Sequence, residues 1–250
     1  MIPFLKYGKN GDLVSVPGDD VLKKPDELNG EILLFLTHIQ NLYWVNKETG
    51  KFVHITLKQD KKDENLITCR IEGTEYGDKE EISRYLKYNK VFNHPEMDNA
   101  EVSVAYKLNS RAENINEVEN SAVWVYFQTR DDTDLPFLIH GSFETAVSRE
   151  KLMTPSSFNS DLFEELGDLI ANTMIELARR KLVTQVFLRR IVIAAFEDEE
   201  ENGTIPGLKE KITRVCREEG LLPDKNGEYK KPEELVLPVP FRMTDSVIDL

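Results

Sequence analysis

Histidine, cysteine, serine and arginine are the side chains whose spacing would disclose chemistry, and most of them here do not. The four histidines, His38, His54, His94 and His140, fall in separate segments with no shared ligand spacing. Packing or surface roles account for them better than a metal does. Cys69 and Cys216 each lie inside an apolar or amphipathic run, so two cysteines build neither a disulfide framework nor a zinc site. Ser142 and Ser148 lack the Gly-x-Ser-x-Gly elbow that would expose a nucleophile. Neither a Gly-x-x-x-x-Gly-Lys-Ser/Thr loop nor a Gly-x-Gly-x-x-Gly turn occurs, so no nucleotide motif is present. The run Glu197 to Glu201 lacks the alternating Asp, Asn and Gly of a calcium loop and reads as a solvated linker. Arg149 stands apart. It follows a polar turn after the apolar run Leu135-Pro136-Phe137-Leu138-Ile139-His140 and precedes a long helical pattern. A guanidinium at such a tip is permanently charged and clamps phosphate oxygens with a planar fork of donors. The plainer reading is that Arg149 pairs with Glu150, Glu144 or Glu164 and ties the loop to the helix.

Several elements must hold that loop in place. Leu162, Phe163, Leu166, Leu169, Ile170, Thr173, Met174 and Leu177 recur at helical spacing and predict an amphipathic helix from Asn159 to Lys181. Acidic residues sit at its start and Arg179, Arg180 and Lys181 at its end, as the helix dipole favours. A second helix is predicted over Thr184 to Ala195, burying Val186, Phe187, Ile191 and Val192 or Ile193. A third is predicted over Pro206 to Glu219, with Leu208, Ile212, Val215 and Cys216 on one face and Gly220 as its stop. Upstream, Glu31 to Ile39 reads as a short buried helix. Leu42 to Val45 and Phe52 to Leu57 then form a hairpin about Lys47 to Gly50, and Leu66 to Ile71 is a third strand. Asp78 is expected to cap a helix from Lys79 to Val91, with Ile82, Tyr85, Leu86 and Asn89 along one side. Strands follow at Val102 to Leu108 and Val123 to Phe127, with a mobile polar loop, Asn109 to Ser121, between them. Trp44 and Trp124 are assigned to core packing. The prolines at 223, 232, 238 and 240 predict an extended tail without regular structure.

Composition bounds the rest. At 250 residues and 40% hydrophobic, the chain can bury a real core. A net charge of -13 opposes sequence-independent nucleic-acid binding, which needs a basic stripe. The cysteine usage fits a reducing cytosol, so a cytoplasmic protein is expected, and no apolar stretch is long enough to span a bilayer. Both ends look abrupt, as in a piece cut from a longer polypeptide. The predicted fold is α+β: a mixed, largely antiparallel sheet with helices packed on it, followed by a smaller helical segment. Three parts are expected: an incoming strand and tether over 1–29, the α+β body over 30–183, and a helical C-terminal segment with an extended tail over 184–250.

Leu135-Pro136 followed by Ser148-Arg149-Glu150-Lys151-Leu152 resembles the middle-domain signature of the ninety-kilodalton heat-shock chaperones, in which Leu-Pro-Leu-Asn runs into Ser-Arg-Glu-x-Leu. The stretch from Gly30 to Ile193 is more similar still to the post-ATPase domain of sacsin-like proteins with a chaperone-type (GHKL) ATPase domain. Shared features are the Leu33 to Ile39 run, Val123 to Phe127, Leu135 to Phe143, Ser148-Arg149-Glu150, and Asn159 opening a helix. Thr145-Ala146 stand where the chaperones have an asparagine, and Met153 where they have a glutamine. The resemblance implies a middle, transducing domain in which Arg149 reaches the γ-phosphate of ATP bound by a separate N-terminal domain, with Ser148, Glu150 and Asn159 supporting the loop. It implies ATP and Mg in the parent protein and no cofactor held by this chain alone. The implied partners are that ATP-binding domain, protein clients and a second copy in a homodimer, with neither nucleic acid nor membrane. A non-catalytic interaction module, using the 109–121 loop and acidic patches, is the rival reading. A bacterial defence ATPase system is a third reading, of context alone.

Overall fold

The computed structural model describes residues 5–7, 13–15, 30–36, 38–47, 49–73, 80–118, 121–196 and 205–235, the side chains of 5–7, 13–15 and 192–196 excepted. Two short strands, β1 (Leu5–Tyr7) and β2 (Leu13–Ser15), pair antiparallel. An eight-stranded sheet follows, built from β3 (Asn41–Val45), β4 (Phe52–Gln59), β5 (Leu66–Gly73), β6 (Glu81–His94), β7 (Met97–Leu108), β8 (Ala122–Val125), β9 (Phe127–Asp132) and β10 (Leu138–Gly141). Its order is β3-β4-β5-β6-β7-β10-β8-β9. The registers β3–β4, β6–β7, β7–β10 and β8–β9 are antiparallel, and β8–β10 is parallel, so the sheet is mixed. Helices α1 (Ser157–Arg179), α2 (Gln185–Phe196) and α3 (Leu208–Glu219) complete an α+β fold, with a helical segment at the C-terminal side as expected. Among the described residues no helix is long and apolar enough to cross a membrane.

Two compact units make up the chain, one of Met1–Lys58 with Thr68–Ile82, the other of Gln59–Ile67 with Ser83–Leu250. In the first, the Gly30–Leu33 turn of 3-10 helix leads into Leu33, Leu34 and Phe35, all buried. The Cys69 thiol donates to the Gly30 carbonyl at 3.1 Å, which suits a small buried hydrophobe with a weak donor. Trp44 is half-buried, whereas Tyr43 stands out beside Phe52 and His54.

In the second unit, alternation along β7 sends Ala100, Val102, Val104, Tyr106 and Leu108 to one face, where α1 lies. From α1, Leu162, Leu166, Ile170, Met174 and Leu177 meet them fully buried, each such side chain contributing about 2 kcal/mol relative to exposure. Tyr106 also needs a polar partner inside this core. Its hydroxyl lies 2.6 Å from Thr173 Oγ1, and Thr173 donates to the Ile170 carbonyl. Gly167 lets α3 approach, since a Cβ there would sit 3.2 Å from Ile205 Cγ2 and 3.3 Å from Lys211 Cδ. Lys211 then reaches Asp168 at 2.7 Å. At the C-terminal end of α1, Arg180 holds Asp63 with both guanidinium nitrogens, which keeps that carboxyl below its usual range.

Three local expectations are corrected. Residues 81–94 form strand β6 rather than part of a helix over Lys79 to Val91; Asp78 and Lys79 lie outside the described residues. The helix-like spacing arises because mid-strand residues are buried on both faces: Tyr85 and Leu86, adjacent and opposite-facing, are each 1% exposed. Ile82 and Asn89, which a helical face would bury, are exposed. Second, Val186 faces solvent at 69% exposure, while Phe187 and Ile191 carry the burial of α2; the side chains of Val192 and Ile193 lie outside the description. Third, the tail contains regular structure as far as it is described: β11 (Leu222–Pro223) and β12 (Tyr229–Lys230) form a hairpin, followed by a 3-10 turn at Pro232–Glu234. Asp224 accepts the amides of Asn226 and Glu228, and Asp224 N–H donates to the Glu228 carbonyl. That pairing turns the amide position of Pro223 away from β12, so its missing donor costs nothing. The acidic run from Glu197 to Glu201 and residues 236–250 lie outside the described residues. The described part of the 109–121 loop is a hydrogen-bonded turn, with Ala112 N–H donating to Asn109 and Asn116 N–H to Lys107.

Candidate functional site

The loop carrying Arg149 begins where β10 ends. Gly141 is needed there: a Cβ would sit 2.5 Å from the Phe143 ring, which turns into the core against Phe163 at 4.5 Å between centroids. Residues 144–153 then form a small hairpin. Thr145 bridges Leu152, Ala146 N–H donates to Lys151, Met153 N–H to Glu144, and Arg149 N–H closes a turn onto the Ala146 carbonyl at 2.8 Å. Arg149 has φ 58°, the left-handed conformation that such a tip requires and that costs a side-chain-bearing residue about 1 kcal/mol.

Two anchors fix this hairpin. On the β9 side, Arg130 N–H donates to the Glu150 carbonyl at 2.7 Å, the Arg130 guanidinium pairs with Glu150 Oε1 at 3.1 Å, and Leu152 N–H donates to Asp131 Oδ2 at 2.7 Å. On the α1 side, Asn159 is buried, and its amide makes a three-way bracket. Oδ1 accepts from Glu144 N–H at 2.8 Å, while Nδ2 donates to the carbonyls of Glu144 at 3.0 Å and Met153 at 3.1 Å. Ser156 caps the helix by accepting from Asn159 N–H and donates to Glu144 Oε2 at 2.8 Å. A cleft of about 270 Å³ opens at this base, lined by Leu152, Met153, Pro155, Ser156, Asn159 and Phe163 among others.

Each candidate residue therefore has a defined place. Ser148 accepts the Glu150 amide at 3.3 Å and shapes the turn. Glu150 is neutralised by Arg130, and Glu144 is engaged by Ser156. Glu164 lies 4.0 Å from Lys211. The carboxylates that the plainer reading assigned to Arg149 thus have other partners. Among the described residues none is bonded to its exposed guanidinium, and Val147 beside it is fully exposed. Ser148, Arg149, Glu150 and Asn159 are brought to one loop, with Asn159 at its base rather than its tip. Reasoning from sequence missed Arg130, Asp131 and Ser156. A serine two residues before the first buried residue of the helix, Phe158, was the available signal for the cap; the β9 contacts left none.

The histidines stay apart. His54 Nδ1 lies 2.9 Å from Glu72, and His94 Nε2 lies 3.0 Å from Asp161 with its ring edge-on to Phe158. Among the described residues no group of three His, Cys, Asp or Glu side chains is placed to hold a metal. Burial pushes the Cys69 thiol up to about 12 and the Cys216 thiol up to about 11, so neither is poised as a thiolate. His140 lies on the sheet face away from α1, 1% exposed, against Tyr126. Burial first, and the Lys87 charge second, hold its pKa down to about 3.

A histidine whose folded pKa is depressed binds its proton in the unfolded chain first. Its neutral form is therefore no liability above about pH 6.5, and it destabilises the fold as pH falls from there toward 3, by up to about 1.4 kcal/mol per pH unit. The difference in urea midpoint between wild type and His140→Gln should accordingly shift in favour of the variant between pH 7 and pH 5. A constant difference across that range would contradict this assignment.

No protein-family model matches the chain, and no curated protein and no solved structure matches it.

Proposed function

We propose that this chain is the middle, transducing domain of a sacsin-like ATPase of the heat-shock-chaperone type. In this reading Arg149 is supplied to ATP held by a separate N-terminal domain, with Mg, and hydrolysis is coupled to remodelling of a client or partner. One observation carries it: a hairpin pinned at both flanks presents at its tip a guanidinium to which no described carboxylate is bonded. A cation meant to meet a phosphate from another domain is best held on a fixed support and left unneutralised, because ordering it at the moment of reaction would cost binding energy. The exposed Val147 next to it favours the second reading, in which the tip is a docking element with no part in hydrolysis.

Trypsin separates the two readings, since Arg149 and Lys151 both lie exposed at the tip. In the whole parent protein, ATP should slow cleavage at these sites, and it should not do so once the ATP-binding domain is removed. Cleavage indifferent to ATP in the intact protein would favour the docking module.

A further inference from the structure

Strand β3 ends the eight-stranded sheet, and its outer edge is open. Its register on β4, with the Asn46 amide donating to Lys51 and the Leu57 amide to Gln40, directs the main-chain groups of Leu42 and Trp44 toward β4. Those of Asn41, Tyr43 and Val45 therefore point outward, and among the described residues no main-chain group pairs with them. Edge strands are ordinarily protected by charge, proline or a bulge. Asn41–Val45 contains no charged residue and no proline, and its register on β4 is unbroken. Tyr43, 62% exposed, and Val45 stand out at alternate positions of the strand, and Ile39 is exposed two residues before it. Tyr43 packs beside Phe52 and His54, which gives this apolar row an aromatic centre. The charges around it are of one sign. On β3, β4 and the turn between them, the described charged side chains are Lys47, Lys51 and Lys58, all exposed. Lys58 lies beyond Thr56, the partner of Asn41, and the other two lie beyond Val45, so cations flank both ends of the edge. His54 is met by Glu72 at 2.9 Å, and Glu48 is outside the described residues.

We infer that this edge takes up an extended segment of a partner protein as an added strand, one whose alternating apolar residues are flanked by acidic residues. Each feature selects part of that ligand. Outward N–H and C=O groups at every second residue match the repeat of another extended main chain. Tyr43 and Val45 favour apolar side chains at alternate positions of the incoming strand, where cross-strand pairs form. The lysines at both ends favour carboxylates there and turn away basic segments. A second copy of the chain fits worse, because it brings the same lysines and a net charge of -13.

The probe is a fluorescein-labelled synthetic peptide, Asp-Asp-Val-Thr-Ile-Thr-Val-Asp-Asp, titrated with the full chain and followed by anisotropy. It should bind with a Kd of about 100 μM or tighter, and more weakly as salt rises. Replacing its aspartates by lysines, or its isoleucine by proline, which lacks the amide that would meet Tyr43, should each weaken binding by about tenfold or more. Lys51→Glu combined with Lys58→Glu, both exposed, should do the same to the acidic peptide. Hydrogen exchange at the Tyr43 and Val45 amides should slow when the peptide is added, a reading that needs no variant. No binding, binding indifferent to the peptide's charge, or exchange unchanged by the peptide would each overturn the proposal. Amides already protected in the free chain, or protected as its concentration alone rises, would give the edge to the chain itself or to a second copy and would overturn it too.

Discussion

Asn159→Ala is expected to destabilise the protein by about 2 kcal/mol, because two main-chain groups, Glu144 N–H and the Met153 carbonyl, lose their hydrogen bonds to a buried side chain. The Glu144 carbonyl keeps the Met153 amide and suffers less. Alanine is the better helix former, and that gain of a few tenths of a kcal/mol does not offset the loss. Asn159→Asp should be no milder: it retains the acceptor for Glu144 N–H but sets carboxylate oxygen against two carbonyls. Urea unfolding followed by circular dichroism measures the change, and a loss below about 1 kcal/mol would show that the bracket is not what holds the hairpin. The same variant should speed tryptic cleavage at Arg149 and Lys151 in the otherwise folded protein, so positioning of the loop and stability of the fold are read in one sample.

Where one face of an element is buried, its residues declare it. Helix α1 is legible from the spacing of Leu162, Leu166, Ile170 and Met174, and the β3–β4 hairpin from alternation around a glycine turn, Gly50, with φ 70°. Strand β6 is misread because Tyr85 and Leu86 are both buried, so period two disappears from the very residues that should show it. The hairpin at 222–230 is hidden for another reason: a proline argues against a strand unless it is known which way its amide points. At the candidate site, Arg149 is conspicuous as the arginine between an apolar strand and a helix. What fixes it is not. Arg130 and Glu150, or Asp131 and Leu152, are distant in sequence, and only strand β9, itself set by a turn at Tyr126 with φ 61°, brings them together. Nothing in the spacing marks Asn159 as a loop support; its three hydrogen bonds are a property of the fold.

Arg149→Ala should leave the fold intact, since the side chain is exposed and alanine meets the same left-handed backbone cost that arginine already bears. Its stability should stay within about 0.5 kcal/mol of wild type. The expected effect is on turnover. A cation brought to the γ-phosphate from a second domain is worth about 10³-fold or more in kcat where such residues operate, because it stabilises charge that develops only in the transition state. Arg149→Lys should recover little, as a point charge lacks the planar two-pronged fit to phosphate oxygens. The decisive measurement is therefore the ATPase kcat of the whole parent protein carrying Arg149→Ala, at saturating ATP. A fall of about 10³-fold with unchanged thermal stability is the result expected of a transducing domain. An unchanged rate would remove Arg149 from the catalytic site and leave the hairpin as a docking element.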